Sequence, residues 1–307
     1  MSRTIKALII GGIFMLLGLV IFLVGYFSNN RNLDSQLEFE IRGTTPLSSK
    51  SYDAPQPDSI TMISIITKRM PVSVQSHDEQ YIRLEYYENA DQSFEITQTG
   101  GKLIVKKNDL GFLKENVTLN LKSLLVKEKQ DNGITVYVPS SYTGELLVST
   151  TFGDIAVRNA LAFSGIKKID FKNYRAGIQM HSLSGNILNL MNTGGIIECS
   201  DISFEDITVI STNAEVKLNY ISSDYTDFLI NKSSVQAAGI ISDNIKIETV
   251  SSQIDMAINA YSVQYSVMIE KSEKSQINLT ENIVGNADKR IRIKADDSII
   301  SVSFSLD

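Results

Sequence analysis

The 307-residue chain is predicted to fold as an all-β solenoid, a stack of coils of about 20 residues with two strands each, behind one N-terminal transmembrane helix. Three observations carry the prediction. An uncharged apolar run opens the chain, short alternating patterns fill it from residue 59, and two series of apolar residues recur in step from residue 145. An antiparallel β-sandwich, which also spaces short strands at about 8–12 residues, is the alternative.

The run Ala7 to Phe27 reads ALIIGGIFMLLGLVIFLVGYF. At 1.5 Å per residue it matches a hydrocarbon core roughly 30 Å thick. Arg3 and Lys6 precede it, while Asp34, Glu38 and Glu40 follow, and an excess of Lys and Arg stays cytoplasmic. Residues 1–6 are therefore expected in the cytoplasm, 7–27 across the cell membrane as a single pass, and the rest outside. A cleaved signal peptide has a shorter apolar region, roughly 7–15 residues, and Gly25-Tyr26-Phe27 is a poor cleavage site. The lone cysteine, Cys199, excludes an internal disulfide, and its distance from the run excludes a lipoprotein anchor. Formal charge is −6, and without Arg3 and Lys6, the only charges before residue 28, the outer part carries −8. Such a surface disfavours nucleic acid. With 43% apolar residues, the outer part has enough material for a substantial core.

Residues 28–58 are polar and read as a flexible extracellular spacer reaching roughly 30 Å. From Ser59, segments 60–66, 72–74, 81–86, 94–96 and 103–105 alternate and are rich in β-branched and aromatic residues. Thr99-Gly-Gly-Lys102 signals a hairpin between the last two. Residues 117–121 suggest a further strand, and Ile134–Val138 is a strand ended by Pro139.

The repeat begins after Tyr142-Thr-Gly144. One series places a small or polar turn, a spacer residue and a β-branched residue: Gly153-Asp-Ile155, Ala176-Gly-Ile178, Gly194-Gly-Ile196, Ala214-Glu-Val216, Ser233-Ser-Val235, Ser252-Gln-Ile254, Ser275-Gln-Ile277 and Asp297-Ser-Ile299. The second falls between: Leu146, Ile169, Ile187, Ile207, Phe228, Ile245, Val267 and Ile291. One coil cannot bury its apolar side alone, whereas stacked coils bury it and pair the backbone above and below. Eight coils at the spacing of paired strands would span roughly 38 Å.

Two segments carry a resemblance. Tyr137-Val-Pro-Ser-Ser-Tyr-Thr-Gly-Glu-Leu146, followed by Val148-Ser-Thr-Thr-Phe-Gly-Asp-Ile155, closely resembles the bacterial "putative adhesin" β-strand-repeat family, a domain of unknown function. Ser184-Gly-Asn-Ile187, Thr193-Gly-Gly-Ile196 and Thr99-Gly-Gly-Lys-Leu-Ile-Val105 are similar to its further turns. The resemblance covers residues 59–307. It implies a β-helix-like, membrane-anchored exported protein, mostly of low-GC Gram-positive bacteria, with Lia-type relatives encoded beside envelope-stress systems. It brings no catalytic residues. The chain departs from the glycine-rich pattern after residue 200, where Ala214, Ser234, Ser252 and Ser275 hold turn positions.

The residues that could carry chemistry are few. His77 and His181 are far apart in sequence, without metal-ligand spacing, and read as turn and coil-edge side chains. Cys199 reads as a buried thiol. Asp154, Asp201, Asp206, Asp224, Asp227, Asp243 and Asp255 are the acidic candidates for a glycan-cleaving pair or a calcium site. Aligning the coils places Asp154 with Gly177, Gly195, Glu215, Ser234 and Gln253, a polar turn ladder. Tyr81, Tyr86, Tyr87, Tyr220, Tyr225, Tyr261 and Tyr265 either stack on sugars or fill edges and core. The sequence assigns no catalytic, cofactor-binding or metal residue and no cofactor. It points to a non-enzymatic module that meets the bilayer through its N-terminal helix and binds or senses an envelope polymer or membrane-protein partner. A polymerising scaffold and a glycan-acting enzyme are the alternatives.

Overall fold

The structure, a computed structural model, describes residues 48–88, 92–109, 133–158, 165–279 and 287–306. The apolar run 7–27 and the strand expected at 117–121 lie outside the described residues. No helix among the described residues is long and apolar enough to cross a membrane. Strands run in chain order as β1 (Ser48–Asp53), β2 (Met62–Ile66), β3 (Val72–His77), β4 (Arg83–Glu88), β5 (Gln92–Thr99), β6 (Lys102–Asp109), β7 (Ile134–Pro139), β8 (Glu145–Thr150), β9 (Ile155–Arg158) and β10 (Ile166–Tyr174). The long strands β11 (Ile178–Thr193), β12 (Ile196–Thr212), β13 (Glu215–Asn231) and β14 (Ser234–Val250) follow. The last are β15 (Gln253–Ile258), β16 (Tyr265–Lys271), β17 (Gln276–Leu279), β18 (Lys289–Asp296) and β19 (Ile299–Phe304).

From β11 to β15 each coil lies parallel on the one before. The register advances by 19 residues, as from Ile178 to Ile197, Val216, Val235 and Ile254, all fully buried. This is a parallel solenoid, and the antiparallel sandwich does not describe it. Each long strand is bent into three sides rather than the expected two. In β12 the buried residues are Ile197 and Cys199, then Ile202 and Phe204, then Ile207, Val209 and Ser211. At each bend two successive residues face outward, so the alternation slips by one and the chain turns without leaving the ladder. One corner column holds Ser182, Asp201, Tyr220 and Gly239, all at positive φ, and another holds Arg175, Gly194, Asn213, Lys232, Ser251 and Asp297. Bulky side chains are tolerated there because they project into solvent.

The slip also moves several expected core positions. The buried column contains Ile197 and Ile300, whereas Ile196 is 40% and Ile299 46% exposed. Where two isoleucines adjoin, period-two alternation cannot decide which faces inward. The Asp154 ladder accordingly passes through Ile196 rather than Gly195. In the second column Leu188 replaces Ile187, and Thr226 replaces Phe228. Thr226 is buried because Ser223 and Ser242 complete its hydrogen bonds, with hydroxyl separations of 2.5 and 3.3 Å.

Side chains close the interior corner. Asn173 Nδ2 donates to the Gly153 carbonyl at 2.8 Å and its Oδ1 accepts from Ala176 N; Asn192 does the same for Ala176 and Gly195. From residue 211 onward serines take over. Ala214 N donates to Ser233 Oγ, Ser233 N to Ser252 Oγ, Ser252 N to Ser298 Oγ and Ser298 N to Ser275 Oγ, at 3.1–3.3 Å. The departure from glycine after residue 200 is thus an exchange of one means of satisfying buried backbone for another.

Layer order departs from sequence order at both ends. The β2–β3 layer sits between β6–β7 and β8–β9. The β18–β19 layer sits between β14–β15 and β16–β17. On the third side the layers are β6, β2, β8, β10, the final segments of β11, β12, β13 and β14, then β18 and β16, a stack about 45 Å long at 4.8 Å per layer. Antiparallel strands cap the first end: β5 lies against β6, β4 against β7, and β1 against β4. Gly100 and Gly101, both at positive φ, form the expected hairpin between β5 and β6. Strand β1 comes from the end of the polar spacer, held by backbone pairing and an Asp53–Arg83 ion pair at 2.6 Å.

Candidate functional site

The first side of the last coils carries a groove of about 580 Å³. Its floor is shallow because Ala238, Ala257, Ser301 and Ser303 occupy outward positions where other coils carry longer side chains. Lys217, Asn219, Gln236, Asp255 and Asn278 supply polar edges. Lys217 is held by Glu215 at 2.8 Å, which raises its pKa, and Gln253 donates to Asp255 at 3.2 Å. Tyr220, 70% exposed, stands at the adjoining corner, where its ring occupies the space a Cβ on Gly239 would take. The groove thus offers hydrogen-bonding amides, a carboxylate and an aromatic face across successive coils. A second hollow, about 400 Å³, lies near the capped end between Asp58, Gln80, Lys102, Glu145 and Lys167.

The quoted motifs have structural roles. Tyr142 is buried and its hydroxyl donates to the Glu145 carbonyl at 3.0 Å, with burial pushing its pKa up. A Cβ on Gly144 would fall 2.5 Å from the Thr61 carbonyl oxygen, and one on Gly153 would fall 2.0 Å from that of Met70. Asp154 Oδ1 accepts the Gly177 N–H at 2.7 Å, tying one coil to the next.

The structure distributes the titratable candidates. His77 accepts the Glu79 N–H on Nδ1 at 3.1 Å, which leaves Nε2 to donate to the Tyr81 carbonyl at 2.9 Å, and its ring stacks on Tyr81. His181 meets Ser200 Oγ at 2.6 Å and Asp201 Oδ2 at 3.2 Å, a juxtaposition the sequence reading missed. The 19-residue register is the signal that finds it. A nucleophilic relay needs hydroxyl and carboxylate on opposite ring nitrogens. Here both face Nδ1 at an exposed corner, so the trio is a surface contact. Burial pushes the Cys199 thiol far up, away from nucleophilic character.

Asp227 pairs with Lys246 at 3.4 Å and Asp243 with Lys289 at 3.0 Å. Asp206 and Asp224 lie exposed at the bend between the second and third sides, and no group of three or more His, Cys, Asp or Glu side chains suited to a metal occurs among the described residues. Tyr86 packs on Phe94 at 5.1 Å, Tyr87 is half-buried on β4, and Tyr265 is buried with its hydroxyl donating to the Ser242 carbonyl at 2.6 Å. Tyr220, Tyr225 and Tyr261 remain as exposed aromatics.

The fold therefore defines a class, an all-β solenoid of stacked coils with polar, ladder-like outer sides and antiparallel strands over one end. The chain belongs to the Toastrack DUF4097 family, whose profile matches residues 60–303. This bears out the resemblance carried by residues 137–155. Among solved structures, it is similar to a "putative adhesin" from Bacteroides fragilis at 10% identity, with TM-score 0.42, covering 85% of this chain and 98% of that one. A "putative lipid binding protein" from Parabacteroides distasonis is similar at 14% identity, with TM-score 0.40 and coverage of 84% and 97%. A "putative cell adhesion protein" from Clostridium sporogenes has 11% identity, TM-score 0.27 and coverage of 85% and 100%. No curated protein matches the chain.

Proposed function

We propose that this protein is a non-enzymatic, adhesin-like binding module, tethered to the cell membrane by residues 7–27 with its solenoid outside. It engages a linear envelope polysaccharide in the groove of the first side. The observation that carries the reading is the groove itself: a flat floor of small residues, amide and carboxylate edges, and the exposed Tyr220 face beside it. Sugar recognition uses that combination, with hydrogen bonds to hydroxyls and apolar ring faces against an aromatic. The N-terminal run and its flanking charges support the tether.

End-to-end polymerisation is the second reading, and two observations weigh against it. Strands β4, β5 and β1 cover one end with antiparallel pairing. At the other, Lys271 stands exposed on β16 in the last layer, in register with Ala295 and Thr249, and a lysine on an edge strand blunts edge pairing.

The test is retention of the full chain, in mild detergent, on isolated envelope polysaccharide. Ala238→Trp, which fills the groove from an exposed position, is expected to lower retention at least tenfold with an unchanged circular dichroism spectrum. Equal retention of both proteins refutes the groove. Protection of residues 28–307 from protease on intact cells refutes the topology.

A further inference from the structure

We infer that the third side of the solenoid carries a second, separate site, which binds the acidic groups of an anionic glycan through Arg290 and Arg292.

Strand β18 alternates outward Arg290, Arg292 and Lys294 with buried Ile291, Ile293 and Ala295, so three cations project on one side about 6.6 Å apart. Their neighbours differ. Lys294 lies between Glu248 and Glu270, which balance it. Arg290 lies between Asn244 and Ser266, and Arg292 between Lys246 and Met268. Lys246 is already held by Glu248 at 2.9 Å and Asp227 at 3.4 Å. Among the described residues neither arginine makes an ion pair. Arg292 faces Lys246 directly across the ladder, and like charges placed so are destabilising. On a chain whose outer part carries −8, two guanidinium groups beside a lysine, with no ion pair among the described residues, stand out.

The surroundings specify the ligand class. A guanidinium presents a planar fork suited to a carboxylate or phosphate. The row through Arg290 continues across the coils to Asn244 and then Tyr225, which is 58% exposed. Two layer spacings separate the Tyr225 and Arg290 backbones, about 10 Å, a distance that a short oligosaccharide bridges. A sugar ring against Tyr225, a hydroxyl at Asn244 and an acidic substituent at the arginine pair are then reached by one chain lying across the strands. A glycan with acidic substituents supplies both the sugar faces and the charged groups that this row can meet. The site lies on a different side from the groove and does not depend on it.

The test uses the full chain in mild detergent with two probes, oligogalacturonate for carboxylates and phosphomannan for phosphates, against methyl-esterified oligogalacturonate and unphosphorylated mannan. At least one acidic glycan is expected to bind at least tenfold more tightly than its neutral counterpart, with affinity falling as salt rises. R290Q/R292Q, exposed changes that retain the fold by circular dichroism, is expected to lose at least tenfold, and Tyr225→Ala three- to tenfold. Ala238→Trp is expected to leave this binding unchanged, so failure here and failure of the groove are told apart. Binding of neither acidic glycan, equal binding of acidic and neutral forms, or an unchanged R290Q/R292Q protein overturns the inference. So does arginine-dependent binding to phosphatidylglycerol vesicles without glycan binding.

Discussion

Exchanging Ile277 and Ile300 for alanine in separate proteins tests the layer order at the end formed by β16 to β19. Both residues lie in the column that contains Ile155 and Ile178. In sequence order, Ile277 would be interior and Ile300 terminal. The structure has the reverse: Ile300 is fully buried between Ile254 and Ile277, whereas Ile277, in the last layer, is only half-buried. Ile→Ala removes three carbon groups, about 2.4 kcal/mol of transfer free energy at roughly 0.8 each when fully buried. A residual cavity of about half the removed volume adds roughly 1 kcal/mol at about 24 cal/mol per Å³. Ile300→Ala should therefore cost about 3–4 kcal/mol and Ile277→Ala about 1 kcal/mol. Urea unfolding followed by far-ultraviolet circular dichroism reads both as shifts in midpoint at constant slope. A larger loss for Ile277→Ala than for Ile300→Ala would refute the inserted layer.

Two further outcomes follow from the interior. Asn192→Ala strips partners from the Ala176 carbonyl and the Gly195 N–H; at about 1–3 kcal/mol per fully buried unsatisfied group, these two half-buried groups should together cost about 2–4 kcal/mol, and a loss under about 0.5 kcal/mol in urea would show that the corner is held otherwise. Tyr265 titrates at about 12, pushed up by burial, so its contribution is complete below the ordinary tyrosine value near 10 and is lost as pH rises through about 12. Two pH units correspond to roughly 2–3 kcal/mol. Stability measured from pH 9 to 12.5 should therefore fall less steeply for Tyr265→Phe than for the parent, and parallel curves would remove the effect.

Much of the fold is legible because its cause is local. A coil with one apolar residue in two must bury that face, and the recurrence of Ile155, Ile178, Val216, Val235 and Ile254 shows that its neighbours do so. The hairpin at Gly100-Gly101 and the Gly144 and Gly153 turns are legible because few residues fit where backbone approaches that closely. The third side was missed because a one-residue slip inside a continuous strand leaves no regular glycine or proline mark: in its corner column only Gly239 is a glycine. The corner at Tyr220 and Asp201 carries ordinary residues whose side chains simply point outward. The candidate sites were less legible still. The sequence offers Tyr220 and Tyr225 among seven candidate tyrosines, but only the register shows which of them face solvent. The arginines of β18 lacked a context until Asn244, Lys246, Ser266 and Met268 were placed beside them.

The amino-acid sequence by itself determined that the chain makes short strands, that they stack in coils, and where tight turns must fall, since period and steric room are properties of neighbouring residues. Tertiary structure alone decided the order of the layers at the two ends and which isoleucine of an adjoining pair faces inward. The reason is that a parallel layer is held equally well by any neighbour of matching register. The choice between β18–β19 and β16–β17 beside β14–β15 rests on how side chains far apart in the chain fill one column, and no local pattern encodes that.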